Sequence, residues 1–392
     1  MNKKLAVTAA TSVFLTACGG DGNNNPSPVS QLFAQTNDTA NAVVHFVRNA
    51  DGTLTAKASI QTGGRGTNGV NYFMGNTVAP DALTSNNSVI VTPDKTRLFV
   101  ANAGDNTVST FSINAGTSDI TLLAVSSTGG TRPTSLAYQN GVLYVTHQQG
   151  AQELIAFRVG QDGKLTSIGQ YTVVQQDALP TQVGVSPDGK FVVVNGFLKT
   201  VNPVAPANML LAFPINSDGT LGQSVSSTSV GVSPFGGRFG TGSMATTYVV
   251  TEAAGDTASS YSIASTGAFT ALSGPVAVTG QTAPCWLAVT PDNKFVYVSS
   301  GSGTVSLFSL DANGKLAFAN ASAATEPAVL TTTSAFANDS WISSDGKFLY
   351  QDYAGDDKIV AYSIGASGSL TKIGEQPVST QSKISLQGLA GI

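Results

Sequence analysis

A strand-and-turn pattern with a period of about 50 residues recurs along the chain. A period of that size implies stacked supersecondary units sharing one continuous core. The clearest unit spans residues 283–319 and reads APCWLAVTPDNKFVYVSSGSGTVSLFSLDANGKLAFA. An apolar run at 286–289 meets a Pro291-Asp292-Asn293 turn, and a second run follows at 295–299. A third, alternating run at 304–310 reaches Asn313-Gly314, and a fourth starts at Lys315. Pro, Asp, Asn and Gly stand where tight turns need a fixed or positive φ.

The same order recurs in units starting at Thr131, at Leu179 (LPTQVGVSPDGKFVVV) and at Ser340 (SWISSDGKFLYQDYAGDDKIVAYSIGASGSL). Residues 88–113 form another, with Pro93-Asp94 at the turn. The unit from Ser233 is degenerate at its start but clear at TYVVTEAAGDTASSYSI. The first unit is incomplete. Residues 32–35 serve as its second strand and 43–48 as its third, before Asp51-Gly52. Its missing innermost strand matches residues 386–392 (LQGLAGI), which resemble Ser135-Leu136-Ala137 and Trp286-Leu287-Ala288. The expected fold is all-β: a seven-bladed β-propeller over residues 31–392, closed by pairing N- and C-terminal strands in one blade. That closure removes the free sheet edges an open array carries.

The first residues read differently. Lys3 and Lys4 precede a short apolar stretch, 5–14, ending in Leu15-Thr16-Ala17-Cys18. This resembles a bacterial lipobox, so residues 1–17 are expected to be a signal peptide, removed on export. Cys18 would carry the acyl chains, such as palmitate, and residues 18–30 would form a flexible tether. The expected location is the bacterial cell envelope, with the membrane reached only through the lipid. With Cys18 acylated, Cys285 has no partner for a disulfide. Only 11% of the residues are charged and the net charge is −4, which argues against nucleic acid as a partner.

With the units laid out, the chain resembles the seven-bladed lactonase family, which contains 6-phosphogluconolactonases and the fungal carboxymuconate cycloisomerase. The resemblance rests on SPDGKFVVV, TPDNKFVYVSS, SSDGKFLYQDY and VSLFSLDANGKL. It implies lactone chemistry in a central channel. The cycloisomerase pattern asks for histidines near residues 179 and 181, where Leu179 and Thr181 stand. It asks for a glutamate after a YVVNE-like strand, matched here by YVVTE and Glu252. It also asks for an arginine after YVSN, where Ser300 and Gly301 stand. One group of three survives, so that isomerisation is not expected.

In such a fold, the loops joining second to third strands and those joining blades share one face, the default ligand site. Candidates there are Arg132, His147, Gln182, Arg238, Glu252, Trp286, Asp339 and Asp352. Lactone hydrolysis needs a base for water and a donor or cation for the oxyanion. Glu252 is the expected base, with Arg132, Arg238 or His147 as stabiliser; Gln182, Arg238, Trp286, Asp339 and Asp352 are expected ligand contacts. His45, between apolar neighbours, reads as structural, and Cys285 as a buried filler. Channel oxygens of Asn102, Glu252, Asp339 and Asp352 could in principle hold calcium, but no dedicated loop spacing supports a metal, and no cofactor is expected. Few cations are present for a sugar phosphate. Two functions follow: hydrolysis or isomerisation of a small cyclic ester, or a non-catalytic scaffold binding a protein, glycan or small envelope ligand. The chain is expected to act as a monomer. A wet pocket with Glu252 facing Arg132 or His147 marks the first reading; a dry, apolar channel marks the second.

Overall fold

One turn is used repeatedly, and it explains the Ser/Thr-x-Asp signature of the repeat. The hydroxyl of Thr92, Ser186, Thr290 or Ser343 donates to the carboxylate two residues on: Asp94, Asp188, Asp292 or Asp345. The same carboxylate accepts the backbone N–H two residues further along. The Ser/Thr oxygen in turn accepts the N–H that opens the second strand, at Arg97, Phe191, Phe295 and Phe348. All three polar groups are thus satisfied locally, which fixes the hairpin before any long-range contact forms.

The computed structural model describes residues 30–329 and 334–392. The expected signal peptide, Cys18 and all of the tether but Ser30 lie outside the described residues. The described chain forms seven four-stranded antiparallel sheets. Blades 2 to 7 take their innermost strands from Val89–Val91, Thr131–Gln139, Leu179–Val185, Pro234–Phe239, Pro284–Val289 and Ala337–Ile342. Blade 1 combines Gln31–Gln35, Ala42–Arg48 and Leu54–Gln61 with Gln387–Gly391 from the other end. Phe33 pairs with Ala390 and Ala34 with Leu389, so the closure expected from the sequence is present.

Seven apolar clusters fill the seven interfaces between neighbouring blades. At the seam of blades 7 and 1, Leu32, Phe46, Tyr350 and Ile359 are all buried. Burying one such side chain contributes about 1.5–3 kcal/mol. Tyrosines staple the same interfaces: Tyr144 donates to the Gly219 carbonyl at 3.0 Å, Tyr297 to Gly368 at 2.9 Å and Tyr350 to Gly52 at 2.7 Å. Each runs from one blade to a turn of the next, the last across the seam.

One segment departs from the repeat. Between blades 1 and 2, residues 62–88 carry a short hairpin (Val70–Asn71 with Thr77–Val78) and a 3₁₀ turn, Ala82–Thr84. An eighth apolar cluster forms around it, joining Leu83 to Leu179, Phe197, Phe235 and Trp286. These residues come from the starts of blades 4, 5 and 6, at the face that carries the blade-to-blade connections. We call this the upper face. The segment therefore closes the upper mouth of the channel.

Candidate functional site

The upper-face candidates are held in structural roles. The Glu252 carboxylate is fully buried and accepts five hydrogen bonds. Ser229 Oγ, the Gly231 N–H and Tyr261 OH reach Oε1 at 3.1, 3.2 and 3.1 Å; Thr257 and Ser259 reach Oε2 at 2.7 and 2.9 Å. The donors come from the link between blades 4 and 5 and from the neighbouring strand. Glu252 ends the second strand of blade 5 and pairs with Pro234. His147 holds the equivalent place in blade 3, opposite Pro133. It is fully buried, its Nδ1 lies 3.3 Å from the Glu153 carbonyl, and its Nε2 has no partner. Desolvation pushes its pKa down to about 4. Both residues anchor their own blades, two blades apart, so the expected pairing of Glu252 with His147 is not what the fold builds.

Arg132 does not meet Glu252 either. Its guanidinium donates to the Val70 carbonyl at 3.2 Å and to Asn76 at 3.4 Å, and stands 5.6 Å from the centre of the Tyr72 ring. It thereby clamps the closing segment, near Asp81, whose carboxyl burial raises to about 6 against the opposing pull of Arg132. Trp286 belongs to the same closure. Its indole donates to Ser85 at 2.8 Å, and its ring packs edge-on against Phe235 and Phe336. Gln182 bridges blades: its amide accepts from and donates to the backbone of Gly237, both at 2.6 Å. Asn102 is likewise spent, on Asn41, Thr62, Thr107 and Ser109. His45, read as structural, is buried against Phe33 and the Gln31 amide.

Polar groups remain in the channel lumen and at its lower mouth, opposite the expected face. Arg238 is the fifth of the six residues of Pro234–Phe239, a strand that starts opposite Glu252 at the upper end, so it stands near the lower end. Arg238 is partly exposed and lines a cavity of about 190 Å³ with Phe239, Val289, Ser340, Trp341 and Leu389. Its one hydrogen bond goes to the Gly237 carbonyl, 3.3 Å away. The Ser340 hydroxyl, also on this cavity, is buried without a partner. Trp341 stacks on Tyr350, with ring centres 5.8 Å apart. Phe239, Ser340 and Trp341 were not singled out in the sequence; Trp341 follows Ser340 in the SWISSDGK unit, where the ring reads as core.

Deeper in the lumen, Asp339 accepts the Gly388 N–H of the closing strand at 3.0 Å. Burial raises its pKa to about 7, opposed by that N–H and by the nearby charge of Arg238. Burial lowers the Arg238 pKa, and Asp339 resists that shift. Asp352 is buried with both oxygens unpartnered, and desolvation together with Asp339 and Asp357 raises it strongly. Of the expected ligand contacts, then, Arg238 and Asp339 are brought together electrostatically. A larger hollow, about 400 Å³, lies out on blade 7 beside Lys358, Glu375 and Lys383. Ion pairs of 2.8–2.9 Å link Glu326, Lys358, Lys372 and Glu375 there, which reads as a structural network. No group of three or more His, Cys, Asp or Glu among the described residues has metal-binding geometry.

The profile of the family described as Lactonase, 7-bladed beta-propeller matches residues 128–236 and 242–332. No curated protein matches the sequence. Among solved structures, a proposed 6-phosphogluconolactonase of Bacteroides fragilis superposes with a TM-score of 0.71 at 17% identity, over 95% of this chain and 100% of the other. A second, from Bacteroides uniformis, gives 0.70 at 16% identity, over 93% and 99%. The periplasmic gluconolactonase of Pseudomonas aeruginosa gives 0.65 at 16% identity, over 93% and 99%. At these identities the likeness is one of fold.

Proposed function

This chain belongs to the seven-bladed β-propeller lactonase family, and we propose that it hydrolyses a small cyclic ester at the lower end of its central channel. The observation that carries this reading is that Arg238 and the unpartnered Ser340 hydroxyl share one cavity at the lower mouth. Arg238 has donors to spare, and Asp339, next to Ser340 in the chain, is a carboxyl poised near neutrality whose charge acts on Arg238. In this reading the lactone carbonyl faces Arg238 and Ser340. Asp339 takes a proton from the attacking water, whose oxygen bonds to the carbonyl carbon. Arg238 stabilises the oxyanion that forms. The ring C–O bond then breaks, and Asp339 returns its proton to the leaving alkoxide, giving the open hydroxy acid. A base whose pKa lies near the working pH suits both transfers. The cavity is below the roughly 300 Å³ at which drug-sized pockets begin, so the substrate is small.

We further propose that Cys18 is acylated and that the protein works in the cell envelope. The lipobox-like Leu15-Thr16-Ala17-Cys18 supports this, and so does the periplasmic naming of the Pseudomonas neighbour. Loss of membrane retention in Cys18→Ser is the expected result; equal retention would reject the anchor.

One observation favours the scaffold reading: the family glutamate at Glu252 is saturated by structural donors. Turnover of a panel of unsubstituted and sugar lactones by the purified mature protein separates the two. Turnover that Arg238→Gln abolishes supports the hydrolase; a wild type inert towards the whole panel supports the scaffold.

A further inference from the structure

We infer that the channel takes neutral, single-ring lactones from the lower face and rejects their phosphorylated counterparts. This rests on the hydrolase reading above and adds the charge class of its substrate.

The argument starts from the cations. Arg132, at the upper mouth, is committed to Val70, Asn76 and Tyr72. The closing segment, through Leu83 and the Ser85–Trp286 bond, also separates the upper face from the lumen. Among the described residues, Arg238 is the one cation lining the lower cavity. The charge of Asp339, next to Ser340 in the chain, acts against that of Arg238. A phosphate monoester brings nearly two negative charges and three strong acceptors. Sites that hold such groups supply several cations, a helix N-terminus or a glycine-rich loop of N–H donors. The described helices are three 3₁₀ turns of three residues each, none of them on this cavity.

The cavity is also small. Its volume of about 190 Å³ is bounded by the side chains of Phe239, Trp341 and Leu389. What it offers a ligand is a single oxyanion position: Arg238 from one blade and the unpartnered Ser340 hydroxyl from another. That arrangement fits one carbonyl, with the rest of the ring uncharged. A dianion placed there would have Arg238 alone among the lining residues to offset its charge.

The test compares kcat/KM for δ-valerolactone, glucono-δ-lactone and glucono-δ-lactone 6-phosphate with the full mature protein. Val289→Lys, which adds a second cation to the cavity wall, is measured beside it after its melt is checked. The better neutral lactone is expected to exceed the phosphate by at least about tenfold, and Val289→Lys to narrow that ratio. A phosphorylated lactone turned over as well as a neutral one would overturn the inference and leave the hydrolase reading standing. If nothing is turned over, quenching of Trp341 fluorescence decides, with Trp341→Phe as the control. Quenching by the neutral lactones alone rejects the hydrolase and keeps the charge class; quenching by none, or by the phosphate, overturns the inference.

Discussion

The indole N–H of Trp286 donates to the hydroxyl of Ser85 at 2.8 Å, across 201 residues of sequence. This bond ties the innermost strand of blade 6 to a segment that belongs to no blade. With Leu83 beside it, the upper mouth of the channel becomes a small apolar core. The site then has to be sought at the other end.

Leu83 is buried at 4% exposure, and Leu83→Ala should lower stability by about 2–5 kcal/mol. Urea denaturation followed by Trp fluorescence measures it. A change under about 0.5 kcal/mol would mean that the segment merely rests on the surface.

Glu252→Gln replaces an acceptor of five hydrogen bonds by an amide with two donors of its own. A loss of about 1–3 kcal/mol is expected, with lactone turnover within threefold of wild type once the protein is folded. A collapse of turnover with an unchanged melt would restore Glu252 as the base.

The pH dependence has a definite sign. Asp339 and Asp357 have pKa values raised to about 7 and about 6, and Asp352 lies well above its ordinary value. Burial is the leading cause in each case; Arg238 and the Gly388 and Leu386 N–H groups oppose it, while Asp38 adds to it at Asp357. These carboxyls bind protons more tightly in the folded chain, so stability falls as pH rises through their folded pKa values. His45 and His147, both lowered to about 4, act the other way, but only below about pH 6.5. The melting temperature should therefore decline between pH 6.5 and 7.5, where Asp339 gives up its proton, and Asp339→Asn should remove much of that decline. A flat or rising profile over this window would contradict the burial of these groups.

Removing residues 386–392, which hold the closing strand Gln387–Gly391, opens the ring. It deletes the pairing with Phe33 and Ala34 and the acceptor contacts of Asp339 and Asp357 with the strand and its approach. The loss should be several kcal/mol, well above the roughly 1 kcal/mol of a typical point change. A truncated chain melting within a degree or two of wild type would refute the closure.

The blades were legible because their turns are chemically local. Thr290, Asp292 and Lys294 satisfy one another within five residues, so SPDG and TPDN announce a hairpin wherever they occur. The closure was legible because Leu386 to Ile392 repeats the pattern of inner strands that the first unit lacks. The site was less so. YVVTE places Glu252 at a strand end, but its donors lie at Ser229, Gly231 and Tyr261, and nothing in the strand reveals them. Arg238 was named, yet placed on the wrong face, because its unit is degenerate at the start and does not show that Arg238 comes late in the innermost strand Pro234–Phe239. Residues 62–88 carry no period at all, and their role comes from contacts with four other blades.

The central claim is that Arg238 stabilises the oxyanion of a lactone bound at the lower mouth. The direct measurement is kcat/KM of Arg238→Gln on the best neutral lactone, with a melt to confirm folding. Loss of one such stabilising group costs about 10²–10³-fold in rate, and a fall of that size is the expected result. A folded Arg238→Gln enzyme retaining activity within threefold of wild type would contradict the claim.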